Sequence, residues 1–373
     1  MNFIKIISII CCSLIVTFNT FGQNHKAEIK DLITRVNTYW QTKNPTHGRA
    51  FWDNAAYHTG NMEAYSITKS EAFLAYSENW AKQNLWMGAR SNDTANWKYK
   101  YGETNDHVLF GDWQICFQTY IDLYNLAPDS LKIARAIEVM EYQISTPNVD
   151  YWWWVDGLYM VMPVMTKLYK VTGKQIYLDK LFEYYKYAED LMIDPETGLF
   201  YRDAKYIYPK HKSVNGQKDF WSRGNGWLFA GLARIINDLP KNYEHRAHFI
   251  NQYCKMAVAL KAAQQKEGYW TRSLLDAQHA PGPETSGTAF FTYSYLWGIN
   301  NGILKPCHYK KTALKGWNYL AKKALQPDGR IGYVQPIGEK AIPGQIVDAN
   351  STANFGVGAF LLAASEMYRY AKH

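Results

Sequence analysis

Residues 155–169 read "VDGLYMVMPVMTKLY", and a helix built from them has almost no face to turn to water. From Gly157 to Tyr169 the run is apolar nearly all round, which is the pattern of a helix covered on every side. "GTAFFTYSYLWGIN" (287–300) is of the same kind. Residues 177–192, "YLDKLFEYYKYAEDLM", mix charges with apolar residues at helical spacing and read as an outer layer. The two kinds alternate. "LKIARAIEVMEYQI", "WLFAGLARIIND", "FINQYCKMAVALKAA" and "FGVGAFLLAASEMYRYA" extend the helical pattern, whereas strand-like alternation is scarce. Turn signals at "APD", "VTGK", "DPETG", "PKNYEH", "PGPETSG" and "QPDGR" separate the segments.

Five of the apolar helices begin on a glycine with a polar or aromatic neighbour: Gly111, Gly157, Gly226, Gly287 and Gly358. Their spacings of 46, 69, 61 and 71 residues match an inner helix, a return helix and two loops. Helical hairpins wound into a closed toroid produce that rhythm, so the expected fold is all-α, an (α/α)6 barrel, with a linear helical solenoid as the rival. A ring of parallel inner helices gathers its N-termini at one end, where loops and polar side chains line a mouth. No linker splits the chain, so one domain is expected over residues 23–373.

The first 22 residues read as a secretory signal, with Lys5, an apolar run from Ile6 to Val16, and small residues before a cut near Gln23. Acylation at Cys11 or Cys12 is the weaker reading, because a small residue is missing before the cysteine. Export to the periplasm or the medium is the expectation. No later run is long enough to span a bilayer. Cys116, Cys254 and Cys307, odd in number and far apart, make a disulfide framework improbable and suggest buried small hydrophobes. With 373 residues, 47% hydrophobic, the chain can bury a large core without one.

The net charge is +8, or +7 without Lys5, a modest excess. Its densest cluster is "RDAKYIYPKHK" (202–212), where Arg202, Lys205, Lys210, His211 and Lys212 interleave with tyrosines. An acidic polysaccharide suits an exported protein better than nucleic acid; an ordinary solvated loop is the other reading. The sequence has no HExxH, paired CxxC, P-loop or GxSxG elbow, so no metal or cofactor is expected and carboxylates remain.

Asp112 in "GDWQ" and Asp156 in "VDGL" stand at two of the glycine starts. A carboxylate there either caps the helix or works as an acid. Beside Asp156, extended geometry would turn Trp152 and Trp154 the same way and Trp153 into the core. Indole walls suit sugar rings, exclude water and keep a carboxyl protonated, as a general acid requires. In "DFWSRGNGWLFAG" (219–231), Arg223 offers a fork for a substrate carboxylate or for a structural ion pair, Asn225 is placed to cap the helix, and Trp227 follows one turn on.

"WWWVDGLYM", "FWSRGNGWLFAGLARIINDLP", "PETSGTAFFTYSYLWGINNGIL" and "GVGAFLLAASEMY", in this order, resemble glycoside hydrolase family 105, the unsaturated glucuronyl or rhamnogalacturonyl hydrolases, with a more distant similarity to family 88. The likeness runs from about residue 57 to the C-terminus. It implies an (α/α)6 barrel that removes a 4,5-unsaturated uronic acid from the non-reducing end of lyase-generated oligosaccharides. It further implies that Asp156 protonates C4, that water adds at C5, and that the resulting hemiketal opens and releases the aglycone. Asp112 falls at the family's second acidic position, and Trp154, Arg223 and Trp227 at substrate-contacting ones. After "TGLFY", several rhamnogalacturonan-acting members carry a histidine where this chain has Arg202. A sulfate on a neighbouring sugar would suit Arg202, Lys205, Lys210 and His211, so a sulfated, rhamnose-containing polysaccharide such as ulvan is the expected source. Pectic rhamnogalacturonan and arabinogalactan side chains are the rivals, along with an exo-glycosidase for saturated sugars and a non-catalytic carbohydrate-binding protein on the same scaffold.

Overall fold

The computed structural model describes residues 25–88 and 109–371; the segment read as a secretory signal lies outside them. Six helices form the inner ring: α2 (Trp52–Thr68), α4 (Gly111–Gln114) running into α5 (Cys116–Leu126), α7 (Val155–Thr172), α9 (Ser222–Asp238), α11 (Thr285–Asn300) and α13 (Asn354–Tyr370). Between them in sequence come α1 (25–43), α3 (Glu71–Gln83), α6 (Leu131–Ser145), α8 (Ile176–Met192), α10 (Arg246–Ala263) and α12 (Pro306–Tyr319). Packing runs α2 to α5, α5 to α7, α7 to α9, α9 to α11, α11 to α13 and α13 back to α2, so the ring closes. This is the (α/α)6 barrel expected from the alternation, and closure excludes the linear solenoid.

The two helix classes differ as their sequences predict. In α11 every residue from Thr285 to Gly298 is buried, whereas α10 and α12 bury single faces. Glycine marks where inner helices touch. A methyl group on Gly226 would lie 3.3 Å from the Gly287 Cα, and one on Gly60 would lie 2.2 Å from the Gly358 carbonyl oxygen. Gly226 and Gly287 stand in the opening turns of neighbouring helices, so α9 and α11 run parallel with their N-termini together. The glycine rule misses one member: α2 opens on "WDNAAYH" and carries its contact glycine, Gly60, at mid-helix.

Connections leaving the inner helices are short, for example residues 69–70 and 173–175, whereas those entering them include residues 193–221, 264–284 and 325–353. Among the described residues the long loops therefore lie at the N-terminal mouth. A repeated bond fixes them: the first N–H of α7, α9 and α11 (Val155, Ser222, Thr285) donates to the carbonyl of Arg202, Arg272 and Tyr333 respectively, at 2.9, 2.8 and 2.8 Å. Each orphan N–H at a helix start thus holds the loop that leads into the next inner helix.

Four local expectations need correction. Residues 150–152 form a 3-10 turn, so the alternation assumed for the tryptophans is lost. Trp152 is core, against Tyr184; Trp153 is 40% exposed; Trp154 is buried beneath Gly111 and Gly157. Asp112 and Asp156 lie inside their first turns, after the N-caps Phe110 and Trp154, and cap nothing. Asn225 is also no cap: its amide bonds both backbone groups of Phe200 and ties the loop before α9 to that helix. Of the cysteines, only Cys116 is buried; Cys254 is half-buried and Cys307 exposed. Among the described residues no helix is long and apolar enough to cross a membrane.

Candidate active site

Asp156 enters the mouth from the first turn of α7 and is 8% exposed. Its Oδ2 has no hydrogen-bond partner. Arg202 Nε lies 3.3 Å from that oxygen, at ion-pair distance but outside hydrogen-bond geometry. Arg202 is held from three sides: its backbone carbonyl by Val155, its Nη1 by Asp203 Oδ2 at 2.6 Å, and its guanidinium over the Trp153 ring at 5.8 Å. Burial raises the pKa of Asp156 from its ordinary value, against the opposing pull of Arg202 and Arg223.

Asp112, on α4, shares this field. Burial first, then the Asp156 charge, hold its carboxyl well above the usual range; Arg202 opposes them, and Asp53 on α2 adds to the rise. The Asp156 charge disfavours ionisation of Asp112, so a proton is easily kept there. Asp53 itself meets Asn354 at 3.2 Å and Arg49 at 3.8 Å.

Arg223 leaves the first turn of α9 and is fully buried. Its two terminal nitrogens donate to the carbonyls of Gln335 (2.7 Å) and Pro336 (2.9 Å), and its plane lies between the rings of Trp221 and Phe355 at 4.6 and 4.8 Å. No carboxylate of the described residues lies within 4 Å, so the structural ion pair considered for it is not made. The loop segment that holds it is anchored in turn by Glu284. This buried residue caps α11 by accepting from the Ser286 and Gly287 N–H groups, and it also takes the Gln335 N–H at 3.1 Å. Trp221 Nε1 donates to the Gln335 side chain at 2.9 Å.

The aromatic lining differs from the one expected. Trp227 is 1% exposed and packs on Tyr159, Phe290 and Trp52. Trp154 is equally buried, stacked on Phe110 at 4.7 Å. Among the described residues, the rings that keep accessible surface at the mouth include Trp52, Phe110 and Trp153.

The basic stretch separates into two groups. Arg202 and Lys205 converge on the Glu339 carboxylate, at 3.5 and 3.3 Å, and the Tyr206 hydroxyl donates to it at 2.5 Å. Lys210 is exposed, and His211 turns away to Asp219 at 2.9 Å. The fold thus brings Asp112, Asp156, Arg202 and Arg223 into one electrostatic group, joins Lys205 to it through Glu339, and leaves Lys210 and His211 outside.

Trp52, Asp53, Gln335 and Glu339 were missed. "FWDN" carried a signal, an acid after an aromatic at a helix start, but lacked the glycine used to find the others. Gln335 and Glu339 lie in a loop with no local pattern. Among the described residues, no group of three or more His, Cys, Asp or Glu side chains is arranged to hold a metal ion.

Comparison with known proteins places these features in context. The profile of the family described as Glycosyl Hydrolase Family 88 matches residues 24–371. A Formosa agariphila protein described as "Unsaturated 3S-rhamnoglycuronyl hydrolase" is 32% identical over 365 residues, covering 93% of this chain and 92% of that one. A solved structure described as "Glycosyl hydrolase family 88 from Bacteroides vulgatus" is 57% identical, with a TM-score of 0.88 and coverage of 92% and 99%. Another, described as "Polysaccharide Lyase", is 66% identical, with a TM-score of 0.89 and coverage of 93% and 98%.

Proposed function

The chain belongs to Glycosyl Hydrolase Family 88 and is a glycoside hydrolase, and from that premise we propose that it removes a 4,5-unsaturated uronic acid from rhamnose-containing oligosaccharides left by a polysaccharide lyase. The observation that carries the reading is Asp156: a buried carboxyl, its pKa raised although its Oδ2 lies 3.3 Å from Arg202 Nε, beside a second raised carboxyl, Asp112. A vinyl ether is protonated at carbon, so its acid must be neutral near working pH, and burial shifts Asp156 in that direction.

Asp156 gives its proton to C4 and the ring gains positive charge at C5 and the ring oxygen. Water adds at C5, and its surplus proton returns to the Asp156/Asp112 pair. The hemiketal so formed opens, the glycosidic bond breaks, and one water is consumed for each aglycone released. Arg223, buried in its aromatic sandwich with its terminal nitrogens on the Gln335 and Pro336 carbonyls, favours the substrate carboxylate through its charge rather than by direct contact. Arg202 and Lys205, which meet at Glu339, take a sulfate on the neighbouring rhamnose in place of that carboxylate. An ulvan fragment offers that group. Lys210 and His211, originally grouped with them, have no part in this arrangement. Export by the N-terminal segment would bring the enzyme to such fragments.

The test is the absorbance of the unsaturated uronyl chromophore in ulvan-lyase products. A hydrolase bleaches it, a lyase acting on intact polysaccharide generates it, and a binding protein leaves it unchanged. Only bleaching, abolished by Asp156→Asn, agrees with the proposal. Equal turnover of sulfated and desulfated disaccharides would overturn the sulfate assignment, as would a Lys205→Ala variant with unchanged KM for the sulfated one.

A further inference from the structure

The ring has a second end. Where the inner helices finish, residues of α2, α7, α9, α11 and α13 line a half-open cavity of about 460 Å3. It is separate from the catalytic mouth, because Trp52, Tyr159, Trp227 and Phe290, from four helices of the ring, pack together in a layer between the two. Arg234 follows Trp227 by seven residues and so lies about two turns further along the same face of α9.

Arg234 is 8% exposed and lines this cavity. Its Nε is buried without a partner, and its guanidinium has no hydrogen bond and no carboxylate within ion-pair distance among the described residues. Every other charge around the cavity is engaged. Lys167 pairs with Asp122, Asp238 with Lys170 at 3.0 Å, and Arg369 with Glu63 and Glu366 at 2.6 and 2.5 Å. Glu63 and Asp122 act on Arg234 only through space. The buried Nε is unfavourable without a partner, and the terminal nitrogens, which face the cavity, are free to take a ligand. The Asn300 Oδ1 is likewise buried without a partner.

We propose that this cavity is a second binding site, for a hydroxylated carboxylate of monosaccharide size, with the carboxylate on the Arg234 fork. Two coplanar oxygens match the planar guanidinium, which a spherical ion or a neutral hydroxyl does not. The Asn237 and Asn300 amides and the Tyr293 hydroxyl supply partners for ring hydroxyls, and the edge of Trp297 supplies an apolar wall. The volume falls within the range of about 300–1,000 Å3 usual for small-molecule sites. Because Glu63 and Asp122 already offset part of the Arg234 charge, and helix C-termini disfavour anions, the affinity is modest. Since the layer of aromatic rings separates the two ends, occupancy here does not depend on the reading of the mouth.

The experiment is binding of D-glucuronate to the full chain, by calorimetry and in soaked crystals, beside D-glucose and acetate at constant ionic strength. Expected are glucuronate density with both carboxylate oxygens on Arg234, and weaker or no occupancy by glucose, which keeps the ring, and by acetate, which keeps only the carboxylate. Arg234→Gln weakens that site about tenfold or more while hydrolysis of the unsaturated disaccharide is unchanged. Should Arg234→Gln fail to fold, Asn237→Leu, at an exposed position on the rim, loses the same site. Ordered water alone at Arg234 under saturating glucuronate, equal binding of glucose, or unchanged affinity in the folded variants overturns the proposal.

Discussion

Arg202 Nε stands 3.3 Å from Asp156 Oδ2, so the guanidinium's charge bears directly on the acid. Burial raises the Asp156 pKa, and Arg202 is the largest influence working against that rise. Under the proposed chemistry the acid must be protonated, so kcat/KM falls as pH rises through its pKa. Replacing Arg202 with Met removes the opposing charge and moves that alkaline limb to higher pH. Asp156→Asn removes the limb and lowers the rate about a thousandfold or more. The readout is the pH profile of chromophore loss. An alkaline limb that stays in place in Arg202→Met would mean that another group is the acid.

Asp112 gives a stability prediction of opposite sign to the usual carboxylate. Its folded-state pKa is raised, by burial and then by Asp156, so the folded protein binds this proton more tightly than the unfolded chain does. The destabilising effect is therefore absent below the unfolded value and grows as pH rises through the window up to the folded one. Asp112→Asn should raise the Tm at pH 8 and leave it nearly unchanged at pH 4, while reducing activity. A variant that is less stable at pH 8 would show that Asp112 is ionised and paired in the native state.

How much of this was legible in the sequence depends on whether neighbours along the chain or across the ring decide a position. The apolar helix 155–169 and the mixed helix 177–192 carry their layer in their own periodicity, so the barrel was readable. Asp112 and Asp156 were found because a helix start is a local signal. The tryptophan run failed because an alternation rule assumes a strand, and residues 150–152 close a 3-10 turn instead. Trp227 was expected to face substrate, yet Tyr159, Phe290 and Trp52 arrive from three other helices to bury it. Glu339 was invisible for the same reason: it is 134 residues from Lys205, and only the closed ring brings the two together.

Ring closure depends on one backbone approach. A methyl group on Gly60 would sit 2.2 Å from the Gly358 oxygen, and one on Gly358 2.4 Å from the Ala56 oxygen. Backbone on both sides leaves no flexible side chain to yield, so Gly358→Ala must part α13 from α2. The expected loss is about 3 kcal/mol or more, measured by urea denaturation. Gly338→Ala is the control: it meets nothing closer than 3.8 Å and has no positive φ, so its midpoint should hardly change. Equal midpoints for the two variants would contradict the close approach.

Glu284 joins stability to substrate binding. Its carboxylate accepts from the Ser286 and Gly287 N–H groups at the start of α11, from the Ser286 hydroxyl, and from the Gln335 N–H, whose own carbonyl takes Arg223. Glu284→Ala leaves these buried donors without an acceptor and frees the segment that aims the guanidinium. The expected loss is about 2–4 kcal/mol of stability, with KM for the unsaturated substrate rising more than kcat falls, since Asp156 is held by α7 independently. Glu284→Gln, which retains one acceptor oxygen, should fall between the two. If KM stays constant in Glu284→Ala while the Tm drops, Arg223 is positioned by its Trp221 and Phe355 sandwich alone, and the loop only caps the helix.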